Sequence, residues 1–184
     1  MQDKATLITI DLGAIERNVK KIVETYGEYR WRVAVVKSDC YGHKGNEVVR
    51  RILRGGANYI AVSFLNEALR IRADFPDVPI MLLVPPPTDL VDWCIENDVE
   101  ITVPDLAYLK QIADKPVGIH LRLDGGCDLY NGPRDKESFR AFMDVIDRGS
   151  VILRGVYLHN YFVEDREISD AEFAAFEEMT QGFD

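Results

Sequence analysis

A single lysine ends a short apolar run in the stretch VAVVKSDCYGHKG, residues 33–45. The residues before Lys37 are valine, alanine, valine and valine, a pattern that is typical of a buried strand. Burial lowers the pKa of an amine and favours its neutral form, which is the nucleophile that forms a Schiff base with a carbonyl group. On residue types alone, Lys37 could instead extend its ammonium group to water or pair with Asp39.

The loop after Lys37 is short and polar, and it contains Tyr41, His43 and the glycines Gly42 and Gly45. A tyrosine in such a loop can simply pack its ring and leave its hydroxyl in water. We interpret His43 as shaping the loop together with the glycines, which allow tight turns. Residue types alone therefore indicate covalent chemistry only at Lys37.

Three other polar side chains end apolar runs. Ser63, Asp124 and His159 each lie at or directly after the end of such a run. If the runs are parallel strands, their carboxyl ends lie on one side of the sheet. We therefore expect these side chains and Lys37 to lie on one rim.

The predicted strands and helices that carry these residues alternate along the chain. Apolar runs predict strands at residues 7–12, 31–37, 59–63, 80–84, 101–103, 118–124 and 153–159. Helical periodicity follows Asp11, a candidate N-cap, and recurs at about 45–54, 65–75, 90–97 and 135–148. Gly55 and Gly56 are expected to stop the second helix. The alternation predicts βαβ units and a parallel sheet.

Two parallel architectures are compatible with this alternation. A doubly wound nucleotide-binding sheet normally carries a glycine-rich turn after its first strand, and neither Asp11 nor Lys37 begins such a motif. The alternative is a (β/α)8 barrel, which takes about 250 residues. Six strand–helix units can be counted from residue 31. We therefore predict an α/β fold that forms about six of the eight units of a barrel, with residues 1–184 as one incomplete domain and two unpaired strand edges.

Composition narrows the classes of function. The chain has 22 Lys and Arg against 31 Asp and Glu, a formal charge of −9, which argues against nucleic acid or an anionic membrane as the main partner. No apolar run approaches the roughly 18 residues of a membrane span, and the N-terminus is too polar for a secretory signal. Cys40, Cys94 and Cys127 fit neither a disulfide framework nor a metal site, which predicts a reducing, cytoplasmic location.

Segments in four places, in the right order, resemble the alanine racemase family. AVVKSDCYGHKG resembles the segment that carries the cofactor lysine of the family, and ATLITIDLGAIERNV resembles the opening of its sequences. GGANYIAVSFLNEALRIR resembles the next unit, and LRGVYLHNY resembles a later strand that ends in histidine. The resemblance implies a homodimeric racemase that interconverts L- and D-alanine. It also implies a pyridoxal-phosphate-binding barrel followed by a β-rich C-terminal domain, which we expect to be absent from residues 1–184.

The same resemblance implies roles for individual residues. Lys37 would hold pyridoxal phosphate as a Schiff base, and Tyr41 would bind the cofactor phosphate through its hydroxyl. His159 would lie against the pyridine ring, the alternative being a structural histidine at a strand end. We expect the three side chains to line one cavity, because the strand ends of a barrel converge on one rim.

The segment 122–132 departs from the family pattern. The positions that differ are Arg122, Gly125, Cys127 and either Leu129 or Tyr130. The family has a lysine at the first of these positions and an arginine, beside the cofactor hydroxyl, at the last. Arg122 could take over part of the work of the missing arginine as a cofactor-binding residue, or it could pair with Asp124.

Racemisation needs one base on each face of the substrate carbanion. Lys37 can be one base, and in the family the other is a tyrosine from the C-terminal domain of the partner subunit. We therefore expect residues 1–184 to be inactive alone and to need a second copy or a partner chain that supplies the rest of the barrel. Two alternatives stay open: a non-racemising pyridoxal-phosphate-binding barrel protein, and a degenerate domain that binds a partner chain through its open edge.

Overall fold

Six strands alternate with helices in the computed structural model, which describes residues 8–124, 131–160 and 164–182. The strands are β1 (Val33–Val35), β2 (Tyr59–Val62), β3 (Ile80–Leu82), β4 (Val99–Val103), β5 (Gly118–Leu123) and β6 (Ile152–Leu158). The helices are α1 (Leu12–Thr25), α2 (Lys37–Tyr41), α3 (Gly45–Arg54), α4 (Leu65–Asp74), α5 (Val91–Glu96, after a 3-10 turn at Thr88–Leu90), α6 (Leu106–Ile112), α7 (Lys136–Ile146) and α8 (Arg166–Thr180). The strands follow chain order in the sheet, and the pairs β1–β2, β4–β5 and β5–β6 are parallel. This is the α/β arrangement of six strand–helix units that the sequence predicts.

The first of two compact units extends to Ile80. Its first helix begins as predicted: Oδ1 of Asp11 accepts the backbone N–H of Ala14 at 2.9 Å, and this bond holds the pKa of Asp11 below its ordinary value. Helix α1 packs against α3 at Gly55, where a Cβ atom would lie 2.7 Å from the Cβ atom of Val19. Any larger residue at Gly55 would therefore push the two helices apart. The buried core includes Val36, Val48, Val49, Ile60, Ala61, Val62, Ala68 and Ile71.

The second unit begins at Met81. The N-cap residues of its helices α6, α7 and α8 are Asp105, Asp135 and Asp165. Their carboxylates accept backbone N–H groups of the first turn. Strand β5 is buried on both sides, with Ile119, Leu121 and Leu123 alternating with His120 and Arg122. A strand buried on both sides gives a rigid support to the residue that follows it. No helix in the described part of the chain has the length and apolar character needed to cross a bilayer.

The strand predicted at residues 7–12 is wrong for the residues that the structure describes. Residues 8–11 are not in a strand, and Leu12 already begins α1. Ile8 is 80% exposed. The alternation of apolar residues is present, but a strand also needs a neighbouring strand to accept its hydrogen bonds, and none of the described strands pairs with this segment.

The prediction of a buried strand that ends at Lys37 needs correction in two respects. Strand β1 ends at Val35, two residues before Lys37. The side chains at its two ends are not buried, since Val33 is 46% and Val35 is 42% exposed. Strand β1 is the first in the order of the sheet, and β2 is its neighbour among the described strands. The N–H of Val36 still donates to the carbonyl oxygen of Ala61 at 2.9 Å, so the apolar run stays bonded to β2 beyond Val35.

Candidate active site

Lys37 begins a helical turn of left-handed backbone. Helix α2 has φ angles of 52, 54, 57 and 56° at Ser38, Asp39, Cys40 and Tyr41; we call α2 the left-handed turn. This conformation is less stable than the right-handed one by about 1–2 kcal/mol for each residue other than glycine. The whole turn therefore costs several kcal/mol, against a net stability of about 5–15 kcal/mol for a typical domain. Such strain persists only where the surroundings enforce it, and it is concentrated at functional sites.

The backbone of the left-handed turn is hydrogen-bonded internally. The N–H of Cys40 donates to the carbonyl oxygen of Val36 at 3.1 Å, and the N–H of Gly42 donates to that of Ser38 at 3.1 Å. Nδ1 of His43 lies 3.0 Å from the carbonyl oxygen of Cys40, which agrees with a role of His43 in shaping the loop. These bonds satisfy backbone N–H and carbonyl groups of the turn. They do not explain its left hand, because right-handed turns form the same kind of bond. The hand must be imposed by groups outside the turn.

The carboxylate of Glu67, in the first turn of α4, is a group outside the turn that bonds to it. Its Oε1 accepts the backbone N–H of Ser38 at 2.6 Å. Its Oε2 accepts the N–H groups of Ser63 at 2.9 Å and Phe64 at 3.1 Å. Ser63 directly follows β2, as predicted. One charged side chain thus ties the residue after Lys37 to the end of the neighbouring strand, through the stronger class of hydrogen bond.

Asp39 makes a second link between the left-handed turn and α4. Its Oδ1 lies 2.7 Å from Nη1 of Arg70 and accepts the N–H of Gly45 at 2.9 Å. The Gly45 bond, with a smaller contribution from the Arg70 charge, lowers the pKa of Asp39 below its ordinary value of 3.8. The link is therefore fully present above this pH and is lost as the pH falls through the lowered pKa. The carboxylate of Asp39 is held by Arg70, not by Lys37 as the sequence allowed.

Cys40 packs on the inner side of the left-handed turn, where it is 5% exposed and burial raises the pKa of its thiol to about 11. Because the thiolate is the reactive form, we expect iodoacetamide at about pH 8 to alkylate Cys40 roughly 100-fold more slowly in the folded protein than in concentrated urea. Peptide mass spectrometry measures both rates. Cys94 is the matched control, since burial also raises the pKa of its thiol to about 11. Rapid labelling of Cys40 but not of Cys94 would show that the left-handed turn opens in the folded chain.

Lys37 and Tyr41 are the first and last residues of the left-handed turn. Lys37 is half-buried, whereas Tyr41 is 60% exposed. Tyr41 and His43 line an open groove of about 540 Å³ together with residues 8–11 and part of α1, and Lys37 is not among the lining residues. The chemistry available here is a primary amine that can bind an aldehyde and a phenol hydroxyl that can donate to an anionic oxygen.

In the second unit, Asp124 and His159 directly follow β5 and β6, as predicted. The side chain of Asp124 is 3% exposed, and its Oδ2 lies 2.6 Å from Nε of Arg134. Arg122 is buried within β5, and His159 is exposed. The ion pair with Arg134 holds the Asp124 carboxylate at the end of the strand.

Gly132 lies directly against the backbone of β5. A Cβ atom at this position would lie 1.9 Å from the carbonyl oxygen of Arg122, so only glycine fits. The N–H of Asp124 donates to the carbonyl oxygen of Pro133 at 3.1 Å. The departing positions Gly125, Cys127, Leu129 and Tyr130 lie outside the described residues. Within the residues that are described, no group of three or more His, Cys, Asp or Glu side chains could hold a metal ion.

Sequence reasoning missed Glu67, Arg70 and Arg134. A signal for Glu67 was available, since glutamate at the third position of a helix commonly bonds back to the N-cap N–H. The other two residues carry no local signal, because an arginine on a helix or loop is ordinary unless its partner is known. Their partners, Asp39 and Asp124, come from other elements.

Comparison with known proteins places the chain in a family. A model of the family described as "Alanine racemase, N-terminal domain" matches residues 10–184. The chain belongs to this alanine racemase family. The resemblance seen in the sequence is thereby confirmed over nearly the whole chain.

Individual alanine racemases agree with this assignment. The alanine racemase of Halalkalibacterium halodurans is 34% identical over 171 residues, which cover 89% of this chain and 44% of the relative. The crystal structure of alanine racemase from Bacillus anthracis with bound L-Ala-P has a TM-score of 0.82 at 28% identity and covers 95% of this chain and 48% of that one. A histidine racemase from Leuconostoc mesenteroides has a TM-score of 0.81 at 18% identity, which shows the fold alone; the match covers 92% of this chain and 48% of that chain. The partial barrel predicted from the sequence is confirmed, and the chain spans about half the length of the relatives that it matches.

Proposed function

We propose that the chain supplies the cofactor-binding barrel segment of a pyridoxal-phosphate-dependent racemase that interconverts L- and D-alanine. Lys37 carries this proposal. It lies within the family match over residues 10–184, and it is also the residue at which the left-handed turn begins. The strained backbone at residues 38–41, which directly follows Lys37, supports the choice of this side chain.

The residues present fit pyridoxal phosphate. The amine of Lys37, a half-buried residue, can bind the aldehyde carbon of the cofactor, and the hydroxyl of the exposed Tyr41 can donate to a phosphate oxygen. From the family pattern we add His159 against the pyridine ring and Arg122 as a cationic group near the ring hydroxyl. When bound, the cofactor supplies an electron sink for the negative charge on the substrate α-carbon.

The amine of Lys37 has two tasks in this proposal. It would anchor the cofactor through its aldehyde carbon, and it would serve as the base that accepts and returns the α-proton on one face of the substrate. The left-handed turn begins at Lys37 and carries this amine. We propose that the base for the opposite face comes from a second subunit or a partner chain.

We also propose a cytoplasmic location and assembly as a homodimer or with a partner chain that completes the barrel. Cys40 and Cys94 are buried free thiols, which suits a reducing compartment. Strands β1 and β6 are the first and last in the order of the sheet. Unpaired backbone groups at such edges can bind a further strand.

Exchange of the α-hydrogen of alanine tests the proposed function with a single base. In heavy water with pyridoxal phosphate, we expect the chain to exchange this hydrogen in one enantiomer about 10²- to 10⁴-fold faster than the Lys37→Ala variant, the usual contribution of a general base. Proton NMR follows the loss of the α-proton signal. Lys20→Ala removes an exposed lysine of α1 and should keep the rate of the unmodified chain.

Equal exchange rates in the unmodified chain and in Lys37→Ala would refute the role of Lys37. A non-racemising cofactor carrier predicts cofactor binding without any exchange, and a degenerate domain predicts neither. The same assay with histidine in place of alanine tests the choice of substrate.

A further inference from the structure

We propose that Glu67 and Arg70 are positioning residues for the amine of Lys37, an inference that rests on the proposed function. Both act through the left-handed turn. Oε1 of Glu67 accepts the N–H of Ser38 at 2.6 Å, and Nη1 of Arg70 lies 2.7 Å from Oδ1 of Asp39. Ser38 and Asp39 are the two residues that follow Lys37, so the two links fix the backbone that carries the amine.

Helix α4 is a firm support for these links. Its inner side chains, Ala68 and Ile71, are fully buried. The second oxygen of Glu67 is bonded to the N–H groups of Ser63 and Phe64 at the end of β2. Strands β1 and β2 are parallel neighbours, so one carboxylate joins the segments that follow both strands. The backbone beside Lys37 is therefore fixed to the end of a sheet strand, in addition to the bonds within its own loop.

The hand of the turn makes these links necessary. L-residues prefer the right-handed region, and the bonds within the turn do not oppose a change of hand. Once the links to Glu67 and Arg70 are broken, the backbone after Lys37 is free to relax to a different path. The amine would then leave the place in which the proposed chemistry uses it.

Glu67→Gln tests the inference, and Glu47→Gln is its matched control. Each glutamate is the third residue of its helix, but the Glu47 carboxylate contacts Arg50 and Arg51 on its own helix. We expect amide hydrogen exchange in residues 37–43 of Glu67→Gln to be faster by about 10- to 100-fold, the factor that corresponds to one hydrogen bond to a charged group. Fixation of pyridoxal phosphate on Lys37 by borohydride should slow by a similar factor. Glu47→Gln should change neither rate.

Ser38→Gly separates positioning from a general loss of stability. Glycine adopts positive φ without steric cost. Added to Glu67→Gln, it should therefore restore much of the fixation rate, which would not recover in a chain that had lost its fold. Should circular dichroism show that Glu67→Gln is unfolded, Asp39→Asn tests the second link with the same two measurements.

Unchanged hydrogen exchange in Glu67→Gln overturns the inference, and so does faster exchange with an unchanged rate of fixation. If instead the proposed function is wrong, the unmodified chain itself fixes no cofactor on Lys37. In that case hydrogen exchange alone decides whether Glu67 holds the turn, since it is measured without cofactor.

Discussion

Replacement of Lys37 by alanine is expected to abolish covalent fixation of pyridoxal phosphate. In the unmodified chain, incubation with the cofactor followed by borohydride reduction should add one cofactor mass, and peptide mapping should find it on Lys37. The reason is the position of the amine, which is half-buried at the start of the strained turn. A primary amine is the group that forms a Schiff base with an aldehyde.

Surface lysines provide the control for this result. Lys20 is exposed on α1, and Lys20→Ala should retain the full added mass after reduction. Retention of stoichiometric fixation in Lys37→Ala, or a map that places the cofactor on another lysine, would contradict the assignment and with it the proposed mechanism.

Local periodicity explains why so much of the fold was predictable. The helix at about 45–54 was expected from apolar spacing and from the glycines that follow, and α3 covers Gly45–Arg54 with Gly55 as its C-cap. The N-cap role of Asp11 was predicted on similar grounds. Because strands that alternate with helices must run parallel, the strand ends that carry Ser63, Asp124 and His159 were also predictable.

The left-handed turn was not predictable, because its cause is distant in sequence. Ser38, Asp39, Cys40 and Tyr41 include no glycine, and none of them favours positive φ strongly enough to predict four such residues in a row. The turn is bonded to Glu67, which lies 29 residues beyond Ser38. The sequence therefore predicts a role for Lys37, whereas the contacts of Glu67 and Arg70 with the turn are visible only in the structure.

The predicted strand at residues 7–12 failed for a related reason. Alternating apolar residues show that a segment can be half-buried in a sheet, but they do not supply the neighbouring strand. The pattern at Ile8 and Ile10 therefore shows that this segment could form a strand. Within the described part of the chain, no strand pairs with it. A local pattern predicts an element reliably only when its partner belongs to the same fold.

Residues 1–184 alone are expected not to racemise alanine at the rate of an enzyme. Racemisation needs two bases, each of which contributes about 10²- to 10⁴-fold, and our proposal assigns only one, Lys37, to this chain. Optical rotation of L-alanine, followed with pyridoxal phosphate in excess, should stay nearly constant while the α-hydrogen of one enantiomer exchanges in heavy water. That combination is the result expected of a site with a base on one face only.

Turnover of about one per second or faster, within the ordinary range of enzymes, would contradict this expectation and would place the second base inside the chain. Tyr130, in the segment that departs from the family pattern, would then be the first residue to replace.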